Sequence, residues 1–95
     1  MKILGFDYSI ELVSSANMSE LGTINHGSTH IRLRDNMSEV GLLSTLIHEI
    51  VHAVDFQLSL DMGEENVNRM ATGLYQTMVD NGVNLRPLLK EKKHG

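Results

Sequence analysis

The stretch His48-Glu49-Ile50-Val51-His52 holds the residues whose types and spacing could do chemistry. On a helix, an i, i+4 pair is separated by about 40° around the axis and about 6 Å along it. Both imidazoles then reach one tetrahedral Zn²⁺ at metal–nitrogen distances of about 2.0–2.1 Å. Glu49 lies about 100° from His48 around the same cylinder. It flanks such a metal without closing its coordination sphere, where a general base can take a proton from water. This is the H-E-x-x-H pattern. A metal-free reading stands beside it: a solvent-exposed Glu/His helix face.

A zinc site needs a third protein ligand. The chain has no cysteine, so that ligand is His, Asp or Glu. The longer H-E-x-x-H-x-x-G-x-x-H pattern is missing, which excludes a metzincin. Asp55 lies about 10 Å along the axis from His48, too far for one intact helix to bring it in. It is expected in an outer shell or in solvent, and Asp61 in the following link is a weaker candidate. Glu64 and Glu65 remain. Glu64 shares the arc of Val67, Ala71, Leu74 and Met78, whereas Glu65 lies about 100° away towards Arg69, Thr72 and Gln76. Glu64 is therefore favoured as the metal ligand and Glu65 is the alternative. Both also suit the start of a helix as acids favoured by its dipole. Asn68, one turn after Glu64, is placed to hydrogen-bond a metal ligand.

These residues need two helices to position them. Ser38 is a suitable N-cap and Glu39 suits the first turn. From there Leu43, Leu46, Ile47, Ile50, Val51, Val54 and Leu58 form one apolar stripe, predicting a zinc-bearing helix over 38–58. Gly41, Thr45, His48, His52 and Asp55 form another stripe, with small residues beside the histidines. A glutamate-bearing helix is predicted over 63–81, buried through Val67, Met70, Ala71, Leu74 and Met78, and stopped at Asn81-Gly82. The short link Ser59 to Gly63 makes the two helices neighbours. Residues 1–35 are strand-rich. Tyr8, Ile10 and Leu12 alternate with polar residues, as do Ile31 and Leu33 with His30, Arg32 and Arg34. A turn is expected at His26-Gly27. The expected class is α+β: a small antiparallel sheet of two or three strands against both helices. The tail 83–95 is expected as a short helix or a loose end.

Ninety-five residues make a single domain, small enough to profit from a metal staple. Apolar residues are 41% and charged residues 21%, as in a folded globular chain. The net charge of −4 argues against electrostatic capture of nucleic acid or of an acidic membrane. No apolar run approaches a membrane span, and no signal-peptide pattern opens the chain. A cytoplasmic protein is expected.

His48-Glu49-x-x-His52 followed by Glu64-x-x-Val67-Asn68-x-Met70-Ala71 resembles the gluzincin zinc peptidases. In those a second helix supplies a glutamate ligand, and an Asp or Asn commonly follows four positions later. The short length and strand-rich front resemble minigluzincins and small H-E-x-x-H proteins encoded by phages and prophages. The resemblance covers roughly residues 22 to 80. It implies a zinc endopeptidase with a peptide or protein substrate, metal ligands His48, His52 and Glu64, and Glu49 as general base. It also implies an edge strand above the cleft, for which Thr29, His30, Ile31 and Arg32 are the matching residues. Larger gluzincins complete the cleft with a second subdomain, which this chain has little length to build. His26 and His30 are candidate oxyanion donors, while Tyr75 lies about 16 Å along its helix from Glu64. The resemblance thus leaves room for weak, latent or partner-dependent activity. It also leaves room for a catalytically silent zinc-stabilised binding module, and for His94 or the segment 85–95 folding over the metal.

Overall fold

Apolar–polar alternation builds the first layer. The computed structural model describes residues 1–90 and the backbone of 92–94; Glu91, Gly95 and the side chains of 92–94 lie outside the described residues. Lys2–Ile3 (β1) and Phe6–Asp7 (β2) form a small antiparallel hairpin. Its turn residues Leu4 and Gly5 have φ of 50° and 85°, the left-handed pair a two-residue hairpin loop requires. Ser9–Val13 (β3), Gly22–Asn25 (β4), His30–Arg34 (β5) and Lys92–His94 (β6) make the main sheet, in the order β4-β5-β3-β6. Ile10, Leu12, Ile31 and Leu33 are buried on one face.

The class is α+β, and the sheet is larger and more mixed than the antiparallel one expected. β4 and β5 form an antiparallel hairpin, but β3 pairs parallel with β5, Ile10 opposite Ile31 and Leu12 opposite Leu33. β6 pairs parallel with the other side of β3. Alternation specifies which side chains face the core; it carries no information on the direction or identity of the neighbouring strand. The chain after β3 turns through a 3₁₀ turn at Ser15–Asn17, held by the Ser14 hydroxyl accepting from the Ala16 amide at 3.2 Å. It then lays β4 two strand spacings from β3, and β5 fills the place between them.

Glu39–Leu58 (α1) packs on this sheet. Ser38 caps it, its Oγ accepting from the Gly41 amide at 3.1 Å. Leu43, Leu46, Ile47, Val51 and Ala53 are buried against the strands, whereas Leu58 lies exposed at the end. Gly63–Asp80 (α2) packs against α1 through Val67 and Ala71. Met70 and Leu74, expected on its buried face, are 50% and 44% exposed. The reason is geometric: the apolar arc is wider than the strip that one neighbouring helix can cover.

The tail holds a short helix, one of its two expected forms, and adds a strand that was not expected. Arg86–Leu89 is a 3₁₀ turn whose Leu89, with Leu85, is buried in the core. Arg86 ion-pairs with Glu39 at 2.7 Å. The chain then forms β6 on the sheet edge opposite β4, with two strands between, or about 14 Å of sheet. Segment 85–90 and the β6 backbone therefore do not cover the face of α1 that carries the histidines; the His94 side chain lies outside the described residues.

Candidate metal centre

The i, i+4 spacing on α1 turns His48 and His52 the same way, with ring centroids 4.8 Å apart. Both Nε2 atoms point at one carboxylate. His48 Nε2 lies 2.9 Å from Glu64 Oε1, and His52 Nε2 lies 2.9 Å from Glu64 Oε2. The three residues offer ligand atoms within 4.8 Å of one another, a group that could hold a metal ion. Tetrahedral bonds of about 2.0–2.1 Å place ligand atoms about 3.3 Å apart, so small shifts suffice. Two imidazole nitrogens and a carboxylate are the donor set of an open zinc site, with one position left for another ligand. The donors fit the ion.

Glu64 reaches α1 because the link is fastened. Ser59 and Asp61 take left-handed φ of 52° and 54°. Asp55 accepts the Met62 amide on Oδ1 at 3.0 Å and the Leu60 amide on its backbone carbonyl at 3.1 Å. Asp55 therefore ties down the start of α2, the helix that carries Glu64. Asp61 is exposed in the link. Glu65, the alternative ligand, ion-pairs with Arg69 at 2.7 Å on the outer side of α2. Asn68 borders the cavity beside the histidines but makes no hydrogen bond to His48, His52 or Glu64.

Glu49 is 5% exposed. Burial pushes its carboxyl up from the ordinary glutamate value, the Glu64 carboxylate adds to the rise, and the His48 and His52 imidazoles partly offset it. Against it lies Gly22, a residue with no predicted role in the site. A Cβ there would sit 2.6 Å from Thr45 Cγ2 and 3.0 Å from Glu49 Oε2. β4 can press its backbone against the base only because residue 22 has no side chain. An isolated glycine at the head of a strand is the signal that could have revealed it.

His26 also turns towards the site. Its ring stacks on Phe56, one helical turn beyond His52, at 4.2 Å and 2° between planes. Its Nδ1 is buried without a hydrogen-bond partner. Burial and then the charge on His52 lower its pKa, with Asp55 opposing. A neutral ring with its proton on Nε2 suits that environment, since a proton on Nδ1 would bury an unpaired donor.

The strand expected to take a peptide does not lie open. β5 is paired on both sides, Ile31 is fully buried, and Thr29 sits in the turn with φ of 52°. His30 and Arg32 face away from α1. His30 is held by Ser9 Oγ at 2.6 Å and Glu11 at 2.9 Å, and Arg32 lies 3.8 Å from Glu11. Only the strand next to it in the sheet order, β4, is an edge on this side. Sequence placed the edge one strand too late because pairing order is invisible in alternation.

Between β4, α1 and α2 lies a cavity of about 470 Å³ that opens beside His48 and Glu49 and is bordered by Leu21 and Gly22. No protein-family model, no curated protein and no solved structure matches the chain. Among the described residues, no helix is long and apolar enough to cross a membrane.

Proposed function

We propose that this chain is a zinc-dependent, gluzincin-like peptidase of the cytoplasm, acting on peptide or protein substrates. The observation that carries the reading is the convergence of both His Nε2 atoms on the Glu64 carboxylate at 2.9 Å, with a buried carboxyl, Glu49, beside them. His48, His52 and Glu64 would hold Zn²⁺. Zn²⁺ bound there supplies Lewis acidity towards a carbonyl oxygen and makes water a nucleophile near neutral pH. Glu49 accepts the proton of the attacking water and hands it to the departing amine. Its burial raises its proton affinity, which suits the second half of that task. The open edge of β4 takes an extended peptide by strand addition, in place of β5. His26, stacked on Phe56 with its pKa lowered by burial and then by His52, is the candidate to donate to the developing oxyanion.

The test is cleavage of a diverse peptide library in zinc-containing buffer. Wild-type protein should cleave, and Glu49→Gln should keep its zinc and lose hydrolysis. Full activity in Glu49→Gln would remove Glu49 from the mechanism.

A second reading has its own support. α2 is anchored to α1 through two buried residues, Val67 and Ala71, and Glu64 adds a tie near its start. A metal there would staple a small fold, as in a catalytically silent binding module of phage type. Zinc-dependent stability without cleavage of any library member would favour it.

A further inference from the structure

The cavity beside His48 runs away from the metal ligands along both helices. On α1 it passes from His48 and Glu49 to Ser44 and Thr45, one turn earlier. On α2 it reaches Ala71, Thr72, Tyr75 and Gln76. Those positions lie about 10–18 Å along the axis from Glu64. Its volume of about 470 Å³ exceeds that of any single side chain, so it has room for one together with part of its backbone.

Its chemistry is selective. Among the described residues, Glu49 is the only Asp, Glu, Lys or Arg along the wall, and it stands at the metal end. The rest of the wall carries hydroxyls, a phenol, the primary amides of Asn68 and Gln76, and the buried methyl of Ala71. The Gln76 amide donates to Asp80 at 2.7 Å, which leaves its carbonyl oxygen as an acceptor. The Thr72 hydroxyl and the Tyr75 phenol each donate and accept. A carboxylate entering here meets no Lys or Arg among the described lining residues and has the Glu49 carboxyl at one end. A carboxamide would find donors for its oxygen and an acceptor for its nitrogen.

We infer that this cavity is a specificity pocket for a neutral, hydrogen-bonding side chain, glutamine above all, on a residue flanking the bond to be cleaved. The inference rests on the proposed peptidase reading but is separable from it. The probes are capped peptides in which glutamine or glutamate, equal in size and shape, occupies either residue beside one scissile bond. Cleavage by wild type is measured in zinc buffer. Affinity is measured on zinc-loaded Glu49→Gln, where turnover does not intervene. At one of the two positions glutamine is expected to exceed glutamate by at least about tenfold in both assays. Thr72 is exposed, so Thr72→Lys should fold; supplying a cation to the pocket, it should shift the ratio towards glutamate. Equal handling of both peptides, or a ratio that Thr72→Lys leaves unchanged, overturns the pocket while cleavage itself would still support a peptidase. Preferential binding without cleavage supports the pocket and counts against the hydrolase. Neither binding nor cleavage of either peptide overturns both.

Discussion

Glu49 is a carboxyl group shut between a helix and the edge of a strand, and its ionisation there opposes folding of the metal-free protein. Burial raises its pKa above the ordinary glutamate value. The folded state therefore holds this proton more tightly than the unfolded chain does. Stability falls as pH rises from the unfolded value through the raised one, and the penalty is complete above it. In chelated protein at pH 7, Glu49→Gln should melt several degrees higher than wild type. The difference should vanish below the pKa of an unfolded glutamate, near pH 4, where both side chains are neutral. Melting curves across that range check it; a Gln variant less stable than wild type at pH 7 would contradict it. At this scale much of the site was legible. Five letters place His48 and His52 on one face, and helical phase alone separates Glu64 from Glu65, which pairs instead with Arg69. His26 was not legible as a neighbour of the site. Its orientation depends on Phe56, thirty positions on, and on how a hairpin turn meets a helix.

Between elements, the tightest fit is β4 against α1 at Gly22. Gly22→Ala forces a methyl to within 2.6 Å of Thr45 Cγ2. Overpacking of this kind costs about 1–3 kcal/mol. The strand should back away from Glu49, lowering both melting temperature and peptide cleavage while zinc still binds. Thr45→Ser removes the opposing methyl, so Gly22→Ala with Thr45→Ser should recover much of the loss. Absence of any effect of Gly22→Ala would mean that β4 and Glu49 are not in register. The helices were readable from capping and apolar spacing, because both are local signals: Ser38 bonds the Gly41 amide and Asn81-Gly82 ends α2. The sheet was readable only as alternating strands. That β3 pairs parallel with β5, and that β4 is the edge, are decided by partners distant in the chain. The exposed Met70 and Leu74 follow the same rule, since periodicity marks an apolar arc but not how much of it finds a neighbour.

For the molecule as a whole, the core joins the sheet to α1, while α2 is an outlying layer held by Val67, Ala71, the Asp55–Met62 bond and Glu64. A cation shared by His48, His52 and Glu64 would bind only the folded arrangement. Saturating zinc at about 100 times its dissociation constant adds about 2.7 kcal/mol. For a domain of this size that is roughly 10–20 °C in melting temperature. Chelation should remove the gain. Glu64→Ala should show little of it, whereas Glu65→Ala should keep it in full. A zinc response that survives Glu64→Ala undiminished would place the ion elsewhere.

The convergence of two imidazoles and one carboxylate on a single ion is tested most directly by X-ray absorption at the zinc edge on stoichiometrically loaded protein. A four-coordinate nitrogen–oxygen shell at about 2.0–2.1 Å is expected, with outer-shell scattering from two imidazole rings. Loss of one ring is expected in His52→Ala. A shell without imidazole scattering, or protein that retains no zinc, would contradict the site.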